Sequence, residues 1–443
     1  AWQTREISDA MTKDSGVELA ALKVDGGRRH RPLVSVRRAP LYGRLVRRRF
    51  EWDASEHDQQ NRVVLPPVSA MAGNRPPANP SPLYEHALRL HRLAPHDPLP
   101  RSGEPYPDAA ARGRRRQRHP PDGTLDGLEA ARVLDEYFAD PSATPLELAR
   151  RLRTVPVPYR HNERVAEAAR RAPGTRSRET GRWLVRHGTD AAAVAAGLAV
   201  LAEAATSDDI PRIQTVGLLS NGFGALAVRA LDRLPGGVDA LIWLAEHVTA
   251  WGRVHAVDAL CRHVDDHAAV RPWLLRRALD GDFLNSYFAD TVARVTVLHE
   301  AVAKSGADAE MVDQTGRILH VMTYCEGMGT SLRRYPHAVA LMEAHLRHLR
   351  RLGPTVERCF AVASVAHYLT LEAPLPTDDV PGIDEVPGIK ERWDEARASY
   401  LDLIDRTEWC EVARRGLVDG DQRLTWVAAK VAGILRTRAF AQT

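Results

Sequence analysis

Residues 236 to 279 constrain the fold more than any other stretch, because apolar residues recur there at helical spacing through three successive segments with almost no connecting chain. Leu241, Leu244, Ala245 and Val248 stand at i, i+3, i+4 and i+7, one stripe of a helix opened by the Gly236-Gly237 break. The period restarts after Thr249-Ala250 with Val254, Val257, Cys261 and Val264, widened by Leu260. A third helix is expected near Pro272, since proline is tolerated in a first turn, and it should carry Trp273, Leu274 and Ala278 inward. Helices joined by turns this short must pack as antiparallel neighbours.

The same texture runs from Thr124 onward. Leu125, Leu128, Leu134 and Phe138 begin a helix, Pro145 opens one through Leu152, and Asn162 caps another through Arg171. Pro173-Gly174 leads into a helix around Trp183 and Leu184, Thr189-Asp190 cap an alanine-rich helix to about Ala205, and Asp209-Ile210-Pro211 open the next. Downstream, Phe288, Val292, Val295 and Val302 share a stripe, as do Met311, Thr315, Ile318 and Met322, and then Val339, Met342, Leu346 and Leu349. Residues 371 to 389, acidic and with a doubled Val-Pro-Gly-Ile, read as an extended loop before three closing helices carried by Trp393 to Leu403, Trp409 to Ala413 and Leu424 to Leu435. No strand run bounded by hairpin turns occurs, so residues 124 to 443 are expected to be all-α.

Residues 1 to 123 read differently. Their apolar residues keep no period, prolines cluster from Pro76 to Pro100, and arginines come in bursts such as Arg47-Arg48-Arg49 and Arg114-Arg115-Arg116. Through residue 125 the chain holds 22 Lys plus Arg against 14 Asp plus Glu, whereas the whole chain is only +4, so the basic character belongs to this segment and the rest is mildly negative. Such a segment buries too little to offset its ordering entropy and is expected to be largely disordered and dispensable to the body. Leu83 to Leu93 could turn helically, but Pro95 and Pro98 end it. The start at Ala1 and the excess of arginine over lysine suggest that part of it is upstream or out-of-frame translation rather than native coding sequence; a normal codon-position bias across it would count against that. No apolar run reaches the ~18 residues of a membrane span, and no secretory h-region opens the chain, so a cytoplasmic setting is expected. The four cysteines, Cys261, Cys325, Cys359 and Cys410, lie far apart and are expected as free, buried thiols.

Phe223-Gly224-Ala225-Leu226 followed by Val228-Arg229-Ala230-Leu231 overlays Trp251-Gly252-Arg253-Val254 followed by Val257-Asp258-Ala259-Leu260 with a slip of one residue. With its helix lengths and short turns, the segment from 124 to 443 resembles the HEAT/armadillo-like helical repeat superfamily in architecture, and the Trp251 to His255 and Trp273 to Arg277 segments resemble uncharacterised bacterial helical-repeat proteins. The resemblance implies an α-α superhelix whose inner helices bind an extended partner; an irregular helical bundle is the alternative.

The chemical signals are sparse. Cys261, His263, Asp265, Asp266 and His267 include zinc-donor types, but no second pair completes a site, and no metal is expected. His345 and His348, among Arg347, Arg350 and Arg351, read as a solvated histidine-arginine face. No GxSxG, HExxH, Walker or Rossmann pattern is present, so no catalytic residue and no cofactor is expected. The candidate partner-binding residues are Trp251, Arg253, His255 and Asp258, together with Tyr324, Glu326, Arg333 and Arg334 around a glycine-containing loop. Tryptophan and arginine are common binding anchors, and functional residues concentrate in loops. The alternatives are that Trp251 fills a gap at a tight turn and that the loop merely joins two helices. The expected function is therefore non-enzymatic binding of a protein or peptide, without membrane association. The alternative is a HEAT-like nucleic-acid-binding protein or DNA glycosylase, disfavoured by the mildly negative body, and a HEAT-like lyase has no supporting motif.

Overall fold

The computed structural model describes residues 81–109, 127–306, 308–371 and 388–418. Every described residue belongs to one compact unit, which begins at Pro77. The disorder expected of residues 1–80 and 110–123, the loop at 372–387 and the last helix from Leu424 lie outside the described residues.

All regular structure among the described residues is helical, apart from one isolated bridge between Glu326 and Gly329. The order begins α1 (Leu83–Leu93), α2 (Leu128–Ala139), α3 (Pro145–Leu152), α4 (Glu163–Arg171), α5 (Gly174–His187) and α6 (Ala191–Ala204). Local chemistry sets several of these boundaries. Thr144 and Glu147 form a reciprocal capping box before α3, Asn162 Oδ1 accepts from Val165 N at 3.2 Å before α4, and Asp190 Oδ1 accepts from Ala192 N at 3.0 Å before α6. Next come α7 (Ile210–Gly217), α8 (Ser220–Asp232), α9 (Gly237–Glu246), α10 (Ala250–Arg262) and α11 (Val270–Arg277). The inward stripes of α9 to α11 are as expected: Leu241, Leu244, Ala245, Val257, Leu260, Trp273 and Leu274 are all buried. Their turns bring α7 against α8 and α9, and α8 against α6, α9 and α10.

The C-terminal part holds α12 (Ala289–Val295), α13 (Leu298–Lys304), α14 (Ala309–Met322), α15 (Ala338–Leu352), α16 (Val356–Leu371), α17 (Ile389–Ile404) and α18 (Thr407–Val418). Here the structure departs from the expected single stripe over Phe288 to Val302. A 3-10 turn, Phe283–Tyr287, precedes α12, and α12 is cut from α13 at Val297, whose φ of 50° is in the left-handed region that branched side chains rarely adopt. Thr296 Oγ1 donates to Val292 O at 2.7 Å, a local bond that competes with helix continuation.

Two further expectations are corrected. Residues 81–109, assigned from sequence to the dispensable segment, are packed into the helical body. α1 contacts α5 and α7, Leu83 and Tyr106 are buried, and Tyr106 donates to Leu219 O at 3.1 Å while stacking on Phe223. The Asp108 carboxylate accepts from Ala191 N at 2.9 Å, satisfying a donor at the start of α6 that has no intrahelical partner. The second correction concerns His345 and His348, which are 1% exposed rather than solvated. His345 Nδ1 meets the Tyr400 hydroxyl at 3.0 Å and His348 Nε2 meets Val302 O at 2.9 Å, so both point inward from α15 while Arg347, Arg350 and Arg351 face out.

Candidate interaction site

Helix α10 carries the first candidate group, and its side chains part to different environments. Ala250 opens the helix at φ 51°, and Trp251 follows it, 36% exposed. The indole packs beside Tyr287, itself 42% exposed, with ring centroids 5.0 Å apart, and the Arg160 guanidinium lies over the indole at 5.9 Å. His255, one turn along, stacks on Trp251 at 6.1 Å. Its imidazole is held below the usual histidine range by burial, reinforced by the Arg160 charge and opposed by Asp258. These four side chains form an aromatic and cationic patch in which Trp251 cannot be a simple gap filler, since a third of it faces solvent.

Arg253 and Asp258 do not join the patch. Arg253 is 7% exposed: its Nε donates to Ala278 O at 3.1 Å, and its two terminal nitrogens donate to Ala245 O and Arg277 O. It therefore ties α10 to the C-terminal ends of α9 and α11, a structural clip rather than an exposed anchor. Asp258 is exposed and takes Arg262 at 3.0 Å.

The second candidate group folds on itself. Met328 N and Gly329 N both donate to Cys325 O, at 2.9 and 3.0 Å, and Gly327 takes the positive φ of 91° that this tight turn requires. Arg333 reaches back to Glu326 at 2.6 Å, and Arg334 is exposed. Tyr324 faces Ser286, and burial raises its phenol above the ordinary range. Burial likewise pushes the Cys325 thiol up to about 12, and its Sγ donates to Thr330 O at 3.2 Å, so it is a packed thiol and not a nucleophile.

The two groups meet at the Phe283–Tyr287 turn. Tyr287 touches Trp251 on one side, while Ser286 lies against Tyr324 and Gly329 on the other; a Cβ on Gly329 would run into the Ser286 carbonyl. Sequence reading missed Arg160 and Tyr287, because both come from outside the regular stripes and are placed by tertiary packing alone.

The remaining histidine and cysteine candidates are separated. Cys261 is buried, His263 pairs with Asp232 at 2.6 Å, and His267 lies 3.5 Å from Asp239. Cys261, Cys325 and Cys359 are buried free thiols and Cys410 is partly buried. No helix of the described residues is long and apolar enough to cross a membrane.

No family model matches the chain, and no solved structure matches it. A short segment is similar to glycerol kinases: 27 residues are 96% identical to glycerol kinase 1 of Streptomyces avermitilis, 93% identical to glycerol kinase 2 of Streptomyces coelicolor and 78% identical to the glycerol kinase of a Roseiflexus species. The match covers 6% of this chain and 5% of each kinase. A match that short supports no function for the chain.

Proposed function

We propose that this chain is a non-enzymatic helical-repeat protein of HEAT/armadillo-like architecture that binds a protein or peptide partner through the patch of Arg160, Trp251, His255 and Tyr287. The repeat reading draws support from the sequence echo. Its two copies fall on α8 and α10, thirteen residues each, and its matched glycines touch, with a Cβ on Gly224 coming 3.2 Å from Gly252 Cα. The contacts of α7 with α9 and of α8 with α10 are those of stacked helix pairs.

The observation that carries the binding reading is the Trp251–Tyr287 pair, two large exposed aromatics in mutual contact under an arginine. Trp, Tyr and Arg dominate binding hot spots, Trp and Tyr because they bring large contact area at little rotamer entropy and Arg because its planar fork both stacks and donates. The same composition can stack an unpaired base, which keeps single-stranded nucleic acid as the second reading.

A photo-crosslinking residue at Tyr287, compared with one at the exposed Leu146 of α3, tests the face. A protein adduct formed from position 287 and absent from position 146 is expected. With that partner purified, Trp251→Ala combined with Tyr287→Ala should weaken binding at least tenfold, about 1.4 kcal/mol. Equal adducts from both positions, or an unchanged Kd in the folded double variant, would remove this surface. Salt-sensitive retention on single-stranded DNA, lost in the same variant, would establish the second reading instead.

A further inference from the structure

The patch of Arg160, Trp251, His255 and Tyr287 is asymmetric in charge. Arg160 is exposed and, among the described residues, makes no ion pair; its guanidinium lies over the indole of Trp251. Acids near it in sequence or across the patch are engaged elsewhere. Glu163, three residues on, is taken by Arg170 and by His161 at 3.1 Å, and Asp258 is taken by Arg262 at 3.0 Å. The balance is read at His255, which feels both signs: the Arg160 charge lowers its affinity for a proton more than Asp258 raises it. Beside this cation stand the two exposed rings, Trp251 and Tyr287, 5.0 Å apart. The elements that carry the rings also carry one acid each, Asp258 on α10 and Asp282 before the Phe283–Tyr287 turn, where its carboxylate accepts from Leu284 N at 2.8 Å.

We infer that the partner bound here is a peptide segment that sets an Asp or Glu carboxylate on Arg160 and an aromatic side chain on the Trp251–Tyr287 pair; the inference rests on the partner reading above. A guanidinium over an indole offers the ring its face, and its N–H donors lie in its own plane, so its edge stays open to a carboxylate held by two parallel bonds. The 5.9 Å between guanidinium and indole sets the spacing. An extended segment places residues i and i+2 on one face about 7 Å apart, so the acid and the ring stand two residues apart. A nucleic-acid strand fits this surface less well. It carries a charge at every residue, whereas the patch offers one unpaired cation and the acids Asp258 and Asp282 on the same elements.

The test is selection of a phage-displayed random nonapeptide library on the full-length protein, with the selected peptides then synthesised and titrated. Two variants serve as comparisons, Trp251→Ala with Tyr287→Ala, and Arg160→Glu, each checked for a retained fold by circular dichroism melting. Peptides lost in the double variant should carry Asp or Glu two residues from Phe, Tyr or Trp, and replacing that acid by its amide should weaken binding about fivefold or more. Arg160→Glu should lose the same peptides and select ones with Lys or Arg in place of the acid. Patch-dependent peptides that show no acidic preference, or that bind Arg160→Glu unchanged, would overturn the inference and leave the partner reading standing. Selection that yields no peptide dependent on Trp251 and Tyr287 would overturn both. Displacement of the selected peptides by an equal concentration of oligothymidylate would overturn the inference in favour of single-stranded nucleic acid.

Discussion

Arg253→Met isolates what the buried guanidinium does for the fold, because methionine keeps the stem and removes every donor. The three acceptors belong to two helix ends. Ala245 O is in the last turn of α9, while Arg277 O and Ala278 O are at the end of α11, where carbonyls lack intrahelical partners. A cation there also opposes the negative ends of two helix dipoles. Hydrogen bonds to a charged group contribute about 1.5–3 kcal/mol each to net stability, and three that share one guanidinium, whose burial costs several kcal/mol in all, do not add in full. The net loss expected in Arg253→Met is about 3 kcal/mol, and the Trp273 ring, with the guanidinium 5.4 Å from its centroid, loses its cationic neighbour as well. In urea unfolding followed by far-ultraviolet circular dichroism, that loss lowers the midpoint by about 1 M for a slope near 3 kcal/mol/M. Arg253→Lys should recover less than half, since one ammonium cannot serve three diverging carbonyls. A loss under about 1 kcal/mol in Arg253→Met would refute the clip, for it would mean that water satisfies the three carbonyls as well as the guanidinium does.

Other perturbations probe the remaining contacts. Gly252→Val should destabilise by about 1–3 kcal/mol, because a Cβ there drives into the Ser220 side chain and forces α8 from α10; an unchanged melting curve would contradict that close approach. Burial holds the His345 imidazole down at about 3, well below its ordinary 6.5, so the unfolded chain takes up the proton first and stability falls as pH drops below about 6.5 until the folded value is reached. Between pH 7 and pH 4 this group should remove about 3 kcal/mol, and His345→Gln, which can still meet Tyr400, should show a correspondingly flatter acid limb; identical limbs would exclude His345 as the cause. A chain starting at residue 127 should melt well below one starting at residue 77, since it lacks the Leu83 and Tyr106 packing and the Asp108 bond to α6; equal melting temperatures would make the docking of residues 81–109 energetically idle.

Helix boundaries were legible in sequence where side chains act on their own backbone. The starts of α4 and α6 follow from Asn162 and Asp190, because a cap is a contact across two or three residues, and that of α3 was marked by Pro145, where the structure adds the Thr144–Glu147 capping box. Legibility ended where partners come from far along the chain. The period of α15 placed Val339, Met342, Leu346 and Leu349 inside correctly, yet residue type alone put His345 and His348 outside. The buried positions are available to histidine because Tyr400 and Val302 O, 55 and 46 residues away, meet the ring nitrogens. Arg253 failed in the same way. A charge beside a tryptophan suggests an exposed anchor, and only the convergence of two helix ends on one point turns it inward.

The α1 region shows the opposite error, in which a poor local signal hid a real element. Pro95, Pro98 and Pro100 stop any helix, and no long stripe precedes them, so periodicity gives no reason to expect burial. The body supplies that reason. The start of α6 has a backbone N–H to satisfy, which Asp108 reaches, and Tyr106 adds a bond to Leu219 O and a stack on Phe223, without either belonging to a helix at all. A segment of this kind is held by the hydrogen-bonding needs of what it covers rather than by its own propensity. The aromatic patch is built on the same principle. Trp251 was visible because it breaks the stripe of α10, whereas Tyr287 and Arg160 become partners to it only after the Phe283–Tyr287 turn and the chain before α4 have been packed against that helix.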